Sequence, residues 1–117
     1  QTQFKFLHWQ TSSYSKHKAY GDIYDNLGDL IDTFVESMMG KYGRPQFESE
    51  FSIMFQDINK LSMQNFIDGI CEFLISMTEG LDPKFDTDLL NLRDEMLRLV
   101  KCIEGNPFEH TISAFEL

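Results

Sequence analysis

Three side chains on one predicted helix are of types that ligate a divalent metal: the imidazole of His17 and the carboxylates of Asp32 and Glu36. Asp32 and Glu36 stand four residues apart, so their carboxylates share a face, one turn above the other. His17 comes fifteen residues before Asp32, which is about 22 Å along a helix axis, too far for one ion to touch both. The rotation over that interval is only about 60°, so the imidazole and the carboxylate pair lie near one stripe at its opposite ends. A second copy of the helix, antiparallel across a two-fold axis near Tyr24 and Asp25, would bring each end to the other and make two identical metal sites at a homodimer interface. Mixed imidazole and carboxylate ligands suit Fe(II), with Zn or Mn as alternative occupants. Taken alone, Asp32 and Glu36 are no more than a solvated, mildly self-repelling helix face.

The elements that must hold these groups follow from periodicity. Residues 1–10 read as the end of a helix with Phe4, Leu7 and Trp9 facing inward, and a first helix under way so early favours a beginning that lies upstream of Gln1. Thr11-Ser12-Ser13 is a break in which Ser12 or Ser13 can cap the next helix. From Tyr14 to Met39, apolar residues recur at Tyr20, Ile23/Tyr24, Leu27, Leu30/Ile31, Phe34 and Met38, the three-and-four spacing of a long amphipathic helix. Gly40 and Gly43-Arg44-Pro45 end it. Residues 41–61 keep no helical stripe and predict a long connection with at most one short helical turn. Ser62 opens a third helix to Met77 with Phe66, Ile67, Ile70, Phe73, Leu74 and Met77 on its inner face. Asp86 or Thr87 caps a fourth, to Ile103, burying Leu89/Leu90, Leu92, Met96/Leu97 and Val100. Gly105-Asn106-Pro107 stops it, and 104–117 reads as a tail or docking strand. Connections that run short, long, short make the outer neighbours antiparallel and let the middle pair run parallel.

Composition narrows the classes of function. A chain of 117 residues, 42% hydrophobic and 25% charged, suits one domain with one core. A net charge of −9 argues against nucleic-acid binding, which needs clustered Lys and Arg, and Lys16 with Lys18 is too small a group. No apolar run approaches a membrane span and no signal peptide is visible. Cys71 and Cys102 form no CxxC motif and sit in apolar helical contexts, so buried free thiols in a reduced cytoplasm are expected. Arg93 and Asp94 read as an ion pair. Eleven phenylalanines are more apolar surface than a small bundle hides, which fits oligomerisation. No nucleophile triad, phosphate-cradling loop or zinc CxxC pair is present.

Leu7-His8-Trp9, then His17, Tyr24, Asp32 and Glu36, resembles the signature of the Dps-type mini-ferritins over roughly residues 4–45. The run HWQTSSYSKHKA is also similar to short ferritin-like proteins of tailed bacteriophages. The resemblance implies an all-α, ferritin-like four-helix bundle with one long crossover connection, a single domain over 1–117. It also implies that His8 and His17 of one subunit face Asp32 and Glu36 of its two-fold mate, that the cofactor is iron, and that iron is oxidised there by peroxide or dioxygen. Trp9 would lie beside the redox site, where it could quench oxidising equivalents. Two positions depart from the family: the His8–His17 interval is shorter by about one turn, and Gly21 stands where the family offers an acid, with Asp22 pointing about 100° away. A classical di-iron centre within one subunit would need Glu-x-x-His on two helices, and the nearest pair, Glu109-His110, is adjacent and lies in the tail. The expected protein is thus a metal-binding dimer, or a larger shell built from it, with ferroxidase activity. The alternative is a structural or interaction bundle that kept the fold and lost the chemistry.

Overall fold

A computed structural model describes residues 1–47 and 49–105. Among these the chain is all-α: α1 (Thr2–Gln10), α2 (Tyr14–Tyr42), α3 (Met63–Thr78) and α4 (Thr87–Gly105), with no strand. The expected tail, 104–117, lies outside the described residues apart from the last turn of α4, and Glu109-His110 with it.

Local signals account for the boundaries. Thr11, in extended conformation, ends α1, and its N–H returns to Leu7 O. Ser13 caps α2 by accepting from Lys16 N, and Ser62 caps α3 by accepting from Asn65 N. Gly40 does not stop α2. The helix runs on to Tyr42 and ends where Gly43 takes φ 93°, a conformation that favours glycine.

The contacts fix the directions. Gln1 reaches Tyr24 while His8 meets His17, so α1 and α2 are antiparallel. Lys41 and Tyr42 at the end of α2 bond Asp86 and Asp88 at the start of α4, so that pair is antiparallel too. Arg93 of α4 donates to Thr78 Oγ1 at the end of α3, 2.8 Å away, which turns α3 against α4. It follows that α2 and α3 run the same way, joined by the long segment between Gly43 and Ser62. The core unites Phe4 and Leu7 of α1, Ile23, Leu27 and Phe34 of α2, Ile67 and Leu74 of α3, and Leu89, Met96 and Val100 of α4. The Phe4 ring sits 5.2 Å from Phe66 and 6.4 Å from Tyr20, tying α1 to both neighbours.

Several expectations about burial need correction. Trp9 is 63% exposed, because α1 turns only its Phe4–Leu7 stripe inward, and the indole instead packs on Phe6 and Lys5. Phe73 and Met77 carry the periodicity of a buried face but are exposed, since no element among the described residues covers that part of α3. Cys102 is exposed and Cys71 half-buried, and the two are not joined in a disulfide. The Arg93–Asp94 pair is present at 3.0 Å.

Candidate metal centre

The turn between α1 and α2 brings the two histidines together. His8 stands in the last turn of α1 and His17 in the first turns of α2. Thr11 Oγ1 accepts from Ser13 N at 3.2 Å and Ser13 Oγ from Lys16 N at 3.2 Å, which fixes the reversal. Across it, His8 Nδ1 lies 2.5 Å from His17 O, and His17 Nδ1 lies 2.7 Å from His8 O. A carbonyl can only accept, so both rings donate through Nδ1. In neutral imidazole the lone pair is then left on Nε2 of each. The rings stack, centroids 3.7 Å apart and 20° from parallel. The His8 carbonyl is one of the orphan acceptors at the end of α1, so His17 also serves as its cap.

Gly21 is what permits this. A Cβ there would stand 3.0 Å from His8 Cε1 and Nδ1. The space over Gly21 is therefore taken up by the His8 ring. The short interval from His8 to His17 does not prevent the imidazoles from converging.

Asp32 and Glu36 lie on α2, both exposed, with no hydrogen bond or ion pair among the described residues. They do not join the histidines within the protomer, and no group of three or more His, Cys, Asp or Glu among the described residues is placed to hold one ion. The histidine pair and the carboxylate pair thus lie at separate levels of α2. The carboxylates of Asp22, Asp25, Asp29, Asp32 and Glu36 continue one exposed three-and-four stripe down the helix.

Residues 8–104 match a family described as of unknown function, DUF5856. The chain belongs to DUF5856. Its matched span contains His8, His17, Asp32 and Glu36. The chain is also 48% identical over 91 residues to an uncharacterized 14.6 kDa protein of the mobD-ri intergenic region of Enterobacteria phage T4, covering 76% of this chain and 67% of that protein. No solved structure matches the chain. No helix among the described residues is long and apolar enough to cross a membrane.

Two further polar devices escaped the sequence reading. Gln3, buried on α1, pairs its amide with the backbone of Gln56: Nε2 donates to Gln56 O and Oε1 accepts from Gln56 N, both at 2.9 Å. Seven residues on, Gln10 donates to Asp57 Oδ2 and accepts from Ile58 N. Together they clamp the crossover along α1. At the far end of α2, Asp86 is wholly buried. Its Oδ2 accepts from the Tyr42 hydroxyl at 2.6 Å and from Asp82 N at 2.9 Å, while Lys41 bridges Asp86 and Asp88. Rather than capping α4 with its side chain, Asp86 latches the α3–α4 turn to α2. The only sequence signal for the first device was two glutamines a heptad apart; for the second, the acid-rich turn of Asp82, Asp86 and Asp88.

Proposed function

We propose that this is a Dps/ferritin-like metal-binding protein whose sites are shared between two protomers of a two-fold dimer, with iron as the metal and Zn or Mn as alternative occupants. His8 and His17, their stacked rings turned so that both Nε2 lone pairs meet, would hold an ion, and the partner's Asp32 and Glu36 would complete the ligand set. The observation that carries this reading is the reciprocal Nδ1–carbonyl pairing of the two histidines. Metal-ligating histidines characteristically donate their other ring N–H to a carbonyl, which fixes the tautomer and raises ligand basicity. The donor set of imidazole and carboxylate suits Fe(II). Antiparallel α1–α2 and α2–α4 pairs with α2 and α3 running the same way support the ferritin-like arrangement within this reading. Iron bound there supplies redox chemistry, Fe(II) passing to Fe(III) as peroxide or dioxygen takes the electrons. The dimer is either the whole assembly or the unit of a shell, and two cysteines not joined in a disulfide fit a reduced cytoplasm.

Anaerobic Fe(II) titration by calorimetry tests it. Saturable binding that is lost in both His17→Ala and Asp32→Ala supports the reading. No saturable binding, or binding that both variants keep, removes it. A structural reading is favoured by one observation: the two imidazoles already satisfy each other's backbone and close the α1–α2 turn. On that reading His17→Ala would lower Tm and leave metal binding absent throughout.

A further inference from the structure

An apolar groove of about 640 Å³ lies open between α2 and α3. Leu27, Phe34, Leu74 and Met96 are its buried floor, and Val35 and Phe73, 37% and 63% exposed, are its rims. Among the described residues that line it, the polar side chains are those of Gln1 and Asn65. Gln1 stands at its head, held by a bond from Nε2 to Tyr24 O, 3.1 Å. From Gln1 onward α1 fills the space between α2 and α3, as the Phe4 contacts with Tyr20 and Phe66 show. On the other side of Gln1 the same space continues, uncovered, to Met38 and Met77.

Two glycines mark its path. At Gly28 the missing Cβ leaves room for the tip of the Gln1 side chain, which lies over it. Gly69 lines the open groove, and a Cβ there would meet nothing within 4 Å. A mid-helix glycine weakens a helix unless something must approach it closely, and nothing among the described residues does.

We propose that this groove is the seat of a helix that continues α1 on its N-terminal side, a segment of the same polypeptide preceding Gln1. From Leu27 to Met38 the seat is about 17 Å long, three helical turns. The occupant presents apolar side chains at three-and-four spacing to Phe34 and Phe73, and its backbone passes over Gly69. The proposal is independent of metal binding.

The test appends three turns of an amphipathic Leu/Ala/Glu/Lys helix directly to Gln1. Two readouts are followed: Tm, and the fluorescence of the apolar dye 1-anilinonaphthalene-8-sulfonate. The unextended chain is expected to bind the dye, and the extended chain to lose that fluorescence and gain in Tm. A Gly/Ser extension of equal length changes neither. Gly69→Leu is expected to raise Tm in the unextended chain and to lower it in the extended one. An amphipathic extension that leaves dye binding and Tm as they were, or a Gly69→Leu effect of the same sign in both chains, overturns the proposal. So does an unextended chain that excludes the dye, whether as a monomer or as a dimer that becomes monomeric on Val35→Glu, since another part of the chain or a second copy then covers the groove.

Discussion

His8 and His17 are held by backbone carbonyls rather than by side chains, so their placement depends on how closely α1 approaches α2. Gly21 sets that approach. Gly21→Ala would gain about 1 kcal/mol in helix propensity, yet its Cβ would meet the His8 ring at 3.0 Å, and overpacking of this kind costs about 1–3 kcal/mol. The expected outcome is a net loss of stability in urea unfolding, together with displaced His8 ring resonances in NMR spectra. A stabilised variant with unmoved resonances would show that the ring has room. The spacing of His17, Asp32 and Glu36 was readable from helix geometry because it lies within one helix. The contact of His8 with Gly21 was not, because it depends on how two helices cross.

Among the elements, α2 was the most legible: its apolar spacing runs unbroken, and only its end was misjudged, since Gly40 is tolerated within the helix while Gly43 is needed at φ 93°. The crossover was illegible because its order comes from amides on another element. Gln3→Ala would strand the backbone N–H and C=O of Gln56, an expected loss of about 1–3 kcal/mol, with faster amide exchange confined to residues near 56 as the local signature. The exposed apolar side of α3 was illegible for a different reason: periodicity says which residues share a face, not whether anything covers it.

The latch between α2 and α4 makes stability depend on pH at both extremes. The Tyr42 hydroxyl bonded to Asp86, the Lys41 ammonium beside Asp88, and the Phe85 N–H on Asp82 hold these three carboxyls below the ordinary value. The unfolded chain therefore binds more protons in acid. The contribution is complete above the ordinary carboxylate pKa of 3.8 and is lost as pH falls through the lower folded values. In alkali the sign reverses. The bond to Asp86 pushes Tyr42 up from 10.0 to about 12, so this contribution holds below pH 10 and disappears towards 12. Thermal melts across pH should show both flanks, and Tyr42→Phe should flatten the alkaline one. An alkaline flank unchanged in Tyr42→Phe would contradict the assignment.

At the scale of the whole molecule, a net charge of −9 and an exposed carboxylate stripe along α2 set the terms of association. Two such stripes laid antiparallel repel, unless cations or the basic end around Lys16 and Lys18 lie between them. Chelation is therefore expected to weaken the dimer and Zn(II) or Mn(II) to strengthen it, as sedimentation velocity would read. A dimer indifferent to both would detach assembly from metal. The four helices and their connections were legible in the sequence, whereas the open groove between α2 and α3 was not, since it depends on where α1 lies.

The proposed sharing of a metal site between two protomers is tested most directly by mixing two variants expected to bind no metal. His17→Ala and Asp32→Ala are unfolded together and refolded as a mixture, so that heterodimers form. In a heterodimer one site loses both groups and the other keeps both, so Fe(II) binding should return at one site per heterodimer although neither parent binds. A mixture as inert as its parents, in the presence of demonstrated heterodimers, would contradict a centre built from two protomers.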